Sequence, residues 1–293
     1  MDDIDDDEDS PAEERTKAKA STSGVRALEG PLVVFVVSCV KYRERWPHLR
    51  STWLRDLNAQ RVPYRILIGR APAGTLREGE DEDVLEVDAA DNYEGLPAKM
   101  LAAWRALDGR RFEHVFKVDD DCYVNVPRLL EAAEMHAGKH SWGMIIGPEV
   151  ERDWHFGKCD DETLNRTPYS GGNSYAYYNG GAGYMLSRRT VHTLAKVKRA
   201  KFAEELYEDK LLGRILHERG EEALPGIFEM QVHPEAFEMV LKFLGPTAAT
   251  MVRGYQLKSA ELVRTVVSLP HVLVYADCTP AVLLQIHAAY CAA

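Results

Sequence analysis

The stretch RFEHVFKVDDDCYVN, from Arg111 to Asn125, constrains this chain more than any other. His114 to Val118 reads as a buried strand with Val115, Phe116 and Val118 apolar, and Asp119, Asp120 and Asp121 follow at once. Side chains alternate faces along a strand, so continued extension sends Asp119 and Asp121 one way and Asp120 the other. Three adjacent like charges repel by roughly a few kcal/mol where solvent is partly excluded. A divalent cation relieves that repulsion. Oxygen ligands suit Mg2+ or Mn2+, which commonly complete their shells with substrate phosphates. The pattern fits a nucleotide-diphosphate site at the carboxyl edge of an α/β sheet. A solvated acidic turn would read the same way.

The remaining chain supplies such a sheet. Leu32 to Val40 is a β-branched run expected to form the first, central parallel strand, followed by strands at Val62–Gly69 and Asp83–Val87. Apolar spacing predicts helices over His48–Gln60, from Leu96 past Leu107, and over Val126–His136, Arg188–Lys201 and Glu204–Arg219. A short strand is expected over Trp142–Ile146. Residues 151–174 are polar and irregular, as an active-site loop would be, and Asp160-Asp161 there is either a second carboxylate pair or solvated loop. Beyond Gly220 the pattern suggests a strand over Ile227–His233, a helix over Pro234–Leu244, a mixed segment to Val274 and an apolar helix over Pro280–Ala292. This divides the chain into an acidic tail (1–28), an α/β domain (29–225) and a carboxyl extension (226–293) that either stands apart or completes the domain.

The formal charge of -10 is uneven: residues 1–20 carry nine acids and three bases, net -6, which leaves -4 for the other 273 residues. A body so mildly acidic, with no basic patch, argues against a nucleic-acid partner. The acidic opening, nearly devoid of apolar side chains, is expected to be disordered and is the reverse of a signal peptide's basic start. The ten apolar residues from Pro31 to Val40 are too few to span a bilayer. Five cysteines without CxxC spacing form neither a zinc motif nor a disulfide framework.

Several further residues have chemistry to offer. Arg43, Arg45 and Arg50 can bind phosphate through their forks or solvate a helix start. Lys99 falls in the first turns of a helix, where it meets a phosphate or faces water. Gly180, Gly181 and Gly183 permit close backbone approach, and the tyrosines beside them suit a sugar or base platform. Glu208 and Asp209 open a helix beside this region; such a carboxylate serves as a general base or as surface decoration.

Five blocks in order across residues 31–220 resemble the beta-1,3-galactosyltransferase and N-acetylglucosaminyltransferase family (glycosyltransferase family 31, with Fringe-like relatives). These are LRSTW (Leu49, Arg50, Thr52, Trp53), DNYEGLPAK (Asp91 to Lys99), FKVDDDCYVN, YYNGGAGYMLS and YEDKLLG. The resemblance implies a GT-A fold and an inverting, metal-dependent transfer of a hexose or N-acetylhexosamine from a UDP-sugar to a glycan hydroxyl, through a β-1,3 linkage. Carried over by position, Asp119, Asp120 and Asp121 would bind Mn2+ and the UDP diphosphate, with Asp121 the direct metal ligand. Arg50, Lys99, Gly181, Gly183 and Glu208 would line the donor site, and Asp209 would be the base. A histidine after the E-D block completes the metal shell in Fringe-like members, and His233 is the candidate here. The family also implies a Golgi lumen or membrane setting, although its membrane anchor has no counterpart in this sequence. Departures stand at Gly95, Pro97, Asn179, Ala182 and Lys210, where the family has other residues. They put the sugar in question, and they keep open a catalytically inactive carbohydrate-binding or adaptor protein. A Mg2+ phosphohydrolase would also use an acidic strand end, but the glycine cluster and E-D helix fit it poorly.

Overall fold

A computed structural model of the chain describes residues 27–79, 81–149, 152–171, 174–203, 205–233 and 249–292. Most of the acidic opening and the expected helix over Pro234–Leu244 lie outside them.

The first strand, β1 (Gly30–Val37), is wholly apolar from Leu32 onward and buried along that length, as a strand covered on both faces must be. It lies inside a six-stranded sheet with β2 (Tyr64–Ile68), β3 (Val84–Glu86), β4 (Phe112–Asp119), β6 (Ser141–Gly143) and β9 (Tyr184–Ser187), in the order β3-β2-β1-β4-β9-β6. The β3-β2-β1-β4 portion is parallel and β9 runs antiparallel to both neighbours. A second sheet joins β10 (Ile227–Glu229), β11 (Ala249–Arg253) and β12 (Val272–Ala276) to β5 (Tyr123–Val124). A small ribbon pairs β7 (Ile145–Ile146) with β8 (Tyr177–Tyr178).

The triple aspartate is therefore the chain's crossing from one sheet to the other. β4 ends at Asp119 in the large sheet, and β5 begins at Tyr123 in the small one, antiparallel to β12. One apolar cluster spans both, taking Val34, Val36, Phe116 and Val118 from the large sheet with Met251, Val274 and Tyr275 from the small one. The described carboxyl-terminal residues thus pack into the same core as β1 and β4. Each such side chain contributes roughly 1.5–3 kcal/mol by leaving water.

The helical expectation for His48–Gln60 is met by two helices, α1 (Trp46–Ser51) and α2 (Trp53–Ala59). They break at buried Thr52, whose φ of -117° and ψ of -120° are not helical and whose hydroxyl donates to the carbonyls of His48 and Leu49. Helix α3 (Leu96–Leu107) starts with Pro97 in its first turn and buries Met100, Leu101, Trp104 and Leu107. Asn125 caps α4 (Val126–Met135) by accepting from the amide of Arg128 at 3.2 Å. Trp142–Ile146 is two strands in different sheets, because the chain leaves β6 after Gly143. Arg188–Lys201 likewise divides into α5 (Arg188–Ala195) and α6 (Arg199–Ala203). Helix α7 is Glu208–Glu218, so the acidic pair forms its first turn. Two more helices, Ala260–Val267 and Pro280–Ala292, cover the small sheet's end of the core. Among the described residues no helix is long and apolar enough to cross a membrane.

Candidate active site

The chain stops extending at Asp119 and turns through Asp120 and Asp121, yet the expected division of the three carboxylates appears. Asp120 points inward, 6% exposed at its side chain, while Asp119 and Asp121 keep 37% and 32%. Asp120 is well compensated: Arg45 Nη1 lies 2.5 Å from Oδ1 and the Ser38 hydroxyl donates to Oδ2 at 2.5 Å. Burial still pushes its carboxyl up to about 6 against these partners. Asp121 has the weaker compensation, with Arg45 Nη1 at 3.7 Å. Burial, then repulsion from Asp119 and Asp120, pushes it up to about 7. Such a partly exposed carboxylate is under-neutralised by its surroundings.

That observation tests the fit of a metal. Asp119 and Asp121, the two partly exposed carboxylates of the three, offer two hard oxygen ligands. Among the described residues no three His, Cys, Asp or Glu side chains group to hold a metal by themselves. Two carboxylates with the remaining positions left to water and phosphate is the arrangement Mg2+ or Mn2+ takes when carrying a nucleotide. The donor set fits such an ion together with a diphosphate.

The E-D helix lies across from these carboxylates. Lys117 Nζ, buried under the site, joins the two sides at 2.7 Å from Asp119 Oδ1 and 2.7 Å from Glu208 Oε1. Asp209 is 3% exposed and gripped by Arg152, with Nη1 at 3.0 Å from Oδ1 and Nη2 at 2.8 Å from Oδ2. The amide of Gly180 donates to Oδ2 at 2.8 Å and that of Lys210 to Oδ1 at 2.7 Å. A carboxylate offers about four lone-pair sites. All are taken, and in this arrangement Asp209 has none left for an acceptor hydroxyl. Arg152 is itself held among aromatic rings, 4.2 Å from the Trp154 centroid, 4.4 Å from Tyr207 and 5.0 Å from Tyr177. Trp154 and Phe156 of the same loop are each 42% exposed. Tyr93 meets Tyr207 edge-on with ring centroids 6.4 Å apart, and burial, then the charge of Asp209, raises its phenol.

The other expected site residues fall in several places. Arg50 does not reach the triple aspartate, because Asp83 (2.5 and 3.0 Å) and Asp81 (3.2 Å) hold its fork beside β3. Arg45 is the arginine at the carboxylates. Lys99, 1% exposed, lies beneath the site and donates to the Ser38 carbonyl and to Asp91, each at 2.8 Å, which ties α3 to the end of β1. Glu208 is buried against Lys117 and the Tyr184 hydroxyl, not open to a ligand. At Gly181 an added Cβ would sit in ordinary contact with Asn179 Oδ1 at 3.4 Å and Asp119 Oδ2 at 3.7 Å. Gly183 is backbone-driven: its φ is +82°, and an added Cβ would lie 2.8 Å from Phe116. His233 is exposed in the bend after β10 and is not grouped with the carboxylates. The tail instead brings Asp277 near Asp121. The amide of Cys278 donates to the Asp121 carbonyl at 2.7 Å, and the Asp277 charge adds to the upward push on Asp121. Asp277 holds a φ of +54°, uncommon outside glycine, at this junction. Arg45 was among the three arginines expected to be able to bind phosphate, whereas Arg152, Lys117 and Asp277 were not singled out as site residues. Lys117 carried a signal as a cation two residues before Asp119, and Arg152 as a member of the polar loop over residues 151–174, but Asp277 carried none.

Residues 44–221 match the family described as Galactosyltransferase. UDP-GalNAc:beta-1,3-N-acetylgalactosaminyltransferase 2 of Xenopus laevis is 29% identical over 120 residues, 39% of this chain and 23% of that protein. Human Beta-1,3-galactosyltransferase 4 is 25% identical over 220 residues, 58% of either chain. Lactosylceramide 1,3-N-acetyl-beta-D-glucosaminyltransferase B of Danio rerio is 27% identical over 204 residues, 62% of this chain and 52% of that one. The chain thus spans between about a quarter and three fifths of the length of these relatives. Among solved structures, the galactosyltransferase LgtC in complex with donor and acceptor sugar analogs aligns with a TM-score of 0.42 at 12% identity, covering 85% of this chain and 88% of that one.

Proposed function

Because this chain belongs to the galactosyltransferase family, and its mostly parallel α/β sheet is of the GT-A type, we propose that it is a UDP-sugar-dependent hexosyltransferase. The observation that carries this reading is the pair of outward carboxylates, Asp119 and Asp121, at the crossing between the two sheets, with Asp121 under-neutralised. Asp119 and Asp121 would hold Mn2+ or Mg2+, and Arg45 beside them would meet the same diphosphate. The ion, when bound, neutralises charge building on the UDP leaving group. The sugar, a hexose or N-acetylhexosamine, would then lie toward Gly181 and the open side of Asp119.

In the transfer, an acceptor hydroxyl oxygen bonds to the anomeric carbon as the bond from that carbon to the UDP oxygen breaks, with inversion. UDP leaves with the bonding pair and the hydroxyl proton passes to a base. Asp209 stands where the family places that base, and a base needs a lone pair within hydrogen-bond reach of the proton. In this chain Arg152 must release Asp209 before it can act. The acceptor would be a glycan, and the linkage β-1,3, by analogy with the names of the relatives.

The saturated Asp209 also favours a second reading, a carbohydrate-binding protein that keeps the donor site without turnover. The test is UDP binding and UDP release across UDP-galactose, UDP-N-acetylglucosamine and UDP-glucose, with and without Mn2+. Metal-dependent binding with release to an acceptor supports the transferase. Metal-dependent binding without release supports the silent protein, and no metal-dependent binding overturns both.

A further inference from the structure

We propose that Lys117 is a positioning residue shared between the two sides of the cleft, and that Glu208 acts through it to set how strongly Asp119 holds a divalent cation and its diphosphate. This rests on the donor reading above.

Lys117 precedes Asp119 by two positions on β4, so both side chains project from one face. Its ammonium is 2% exposed as a residue and has three acceptors for its three donors: Asp119 Oδ1 at 2.7 Å, Glu208 Oε1 at 2.7 Å and the Gly180 carbonyl at 3.1 Å. Glu208 is fixed on its other oxygen by the Tyr184 hydroxyl at 2.7 Å. Gly180 makes the geometry possible, since a Cβ there would lie 2.7 Å from Glu208 Oε1 and 3.1 Å from Lys117 Nζ.

The two carboxylates on this lysine differ in outlook. Glu208 is 6% exposed at its side chain and Asp119 is 37%, so the cleft sees the charge on Asp119. One positive charge divided between two carboxylates leaves Asp119 a net pull on a cation. Without the charge on Glu208, Lys117 pairs with Asp119 alone and that pull weakens. Anchoring Glu208 less firmly to Tyr184 has the opposite effect, because Glu208 then draws more of the lysine to itself.

The experiment is titration calorimetry of Mn2+-dependent UDP binding to the full chain. Glu208→Gln should weaken binding about tenfold, the scale on which partners of metal-ligating carboxylates act. In an Asp119→Asn background the same change should do nothing. Tyr184→Phe, which keeps the ring and removes the hydroxyl, should leave binding equal or tighter. A purely structural role would weaken binding in both Glu208→Gln and Tyr184→Phe. The proposal is overturned if Glu208→Gln stays within twofold of the unaltered chain, if its loss persists in the Asp119→Asn background, or if Tyr184→Phe weakens binding as much. Absence of Mn2+-dependent UDP binding by the unaltered chain would instead remove the donor reading, and this proposal with it.

Discussion

The two sides of the cleft treat their carboxylates in opposite ways. On the β4 side, Asp120 is buried against Arg45 and Ser38, while Asp121 stands partly open with its nearest cation at 3.7 Å. On the α7 side, Asp209 is buried with two arginine contacts and two backbone amides filling its oxygens. One acid is neutralised completely and the other is left short of charge, and the second is where we propose that the cation binds. The first is held shut from within. The contrast is one of availability, and each side can be perturbed separately.

The largest effect is expected from Arg152. Removing one partner of a buried ion pair leaves an uncompensated charge, at a cost of about 3–5 kcal/mol. Arg152→Met should therefore lower the urea midpoint strongly. The double variant Arg152→Met with Asp209→Asn should recover much of that loss. If Arg152→Met unfolds like the unaltered chain, the saturated picture of Asp209 is wrong. Next comes Asp121→Ala, which should reduce Mn2+-dependent UDP affinity about a hundredfold, or roughly 2.7 kcal/mol, with little change in folding. Equal affinity with and without this side chain would end the claim that Asp121 marks the donor side. Gly180→Ala touches both sides, since the new methyl would meet Glu208, Asp209 and Lys117 at 2.7, 3.1 and 3.1 Å. It should cost about 1–3 kcal/mol of stability, read by thermal unfolding. No loss would mean that the lysine junction is loosely packed.

These contrasts explain what the sequence could and could not disclose. Strand β1 and the β4 turn were legible because apolar runs ending in like charges are local patterns, and the motif blocks placed α3, the glycine cluster and the E-D helix in order. The break at Thr52 was not legible, because the apolar spacing of Leu49, Trp53, Leu54 and Leu57 is helical on either side of it. Charge partners were the least legible part. Arg50 and Arg45 look alike in KYRERWPHLR, and which of them meets Asp120 depends on where Asp81 and Asp83, just before β3, return to the sheet. Arg152 lies 57 residues before Asp209 in a polar loop, where nothing local distinguishes it from solvated arginines. The approach of Asp277 to Asp121 has the same origin, because the pairing of β12 with β5 is a long-range register.

The smallest expected effect lies at Lys210, which stands where the family has a valine and joins the acceptor side to the loop that carries Arg152. It is fully buried on α7, 4.1 Å from the Tyr169 ring and 3.2 Å from the Gly171 carbonyl. Burial pushes its ammonium down to about 8; Glu205 and Asp209 oppose the shift, while Arg152 and Arg214 assist it. The unfolded chain keeps a lysine protonated to about pH 10.4. Between about pH 8 and that value the unfolded state therefore binds more protons, and this lysine's contribution to stability rises with pH. Below pH 8 both states are protonated and its penalty is constant. Urea unfolding of the unaltered chain and of Lys210→Met, compared at pH 7 and pH 9.5, should show the unaltered chain gaining on the variant by on the order of 1 kcal/mol. Taking the difference cancels the tyrosines that titrate in the same range. A constant difference would mean that Lys210 reaches water, and the loop over Asp209 would then be looser than its contacts imply.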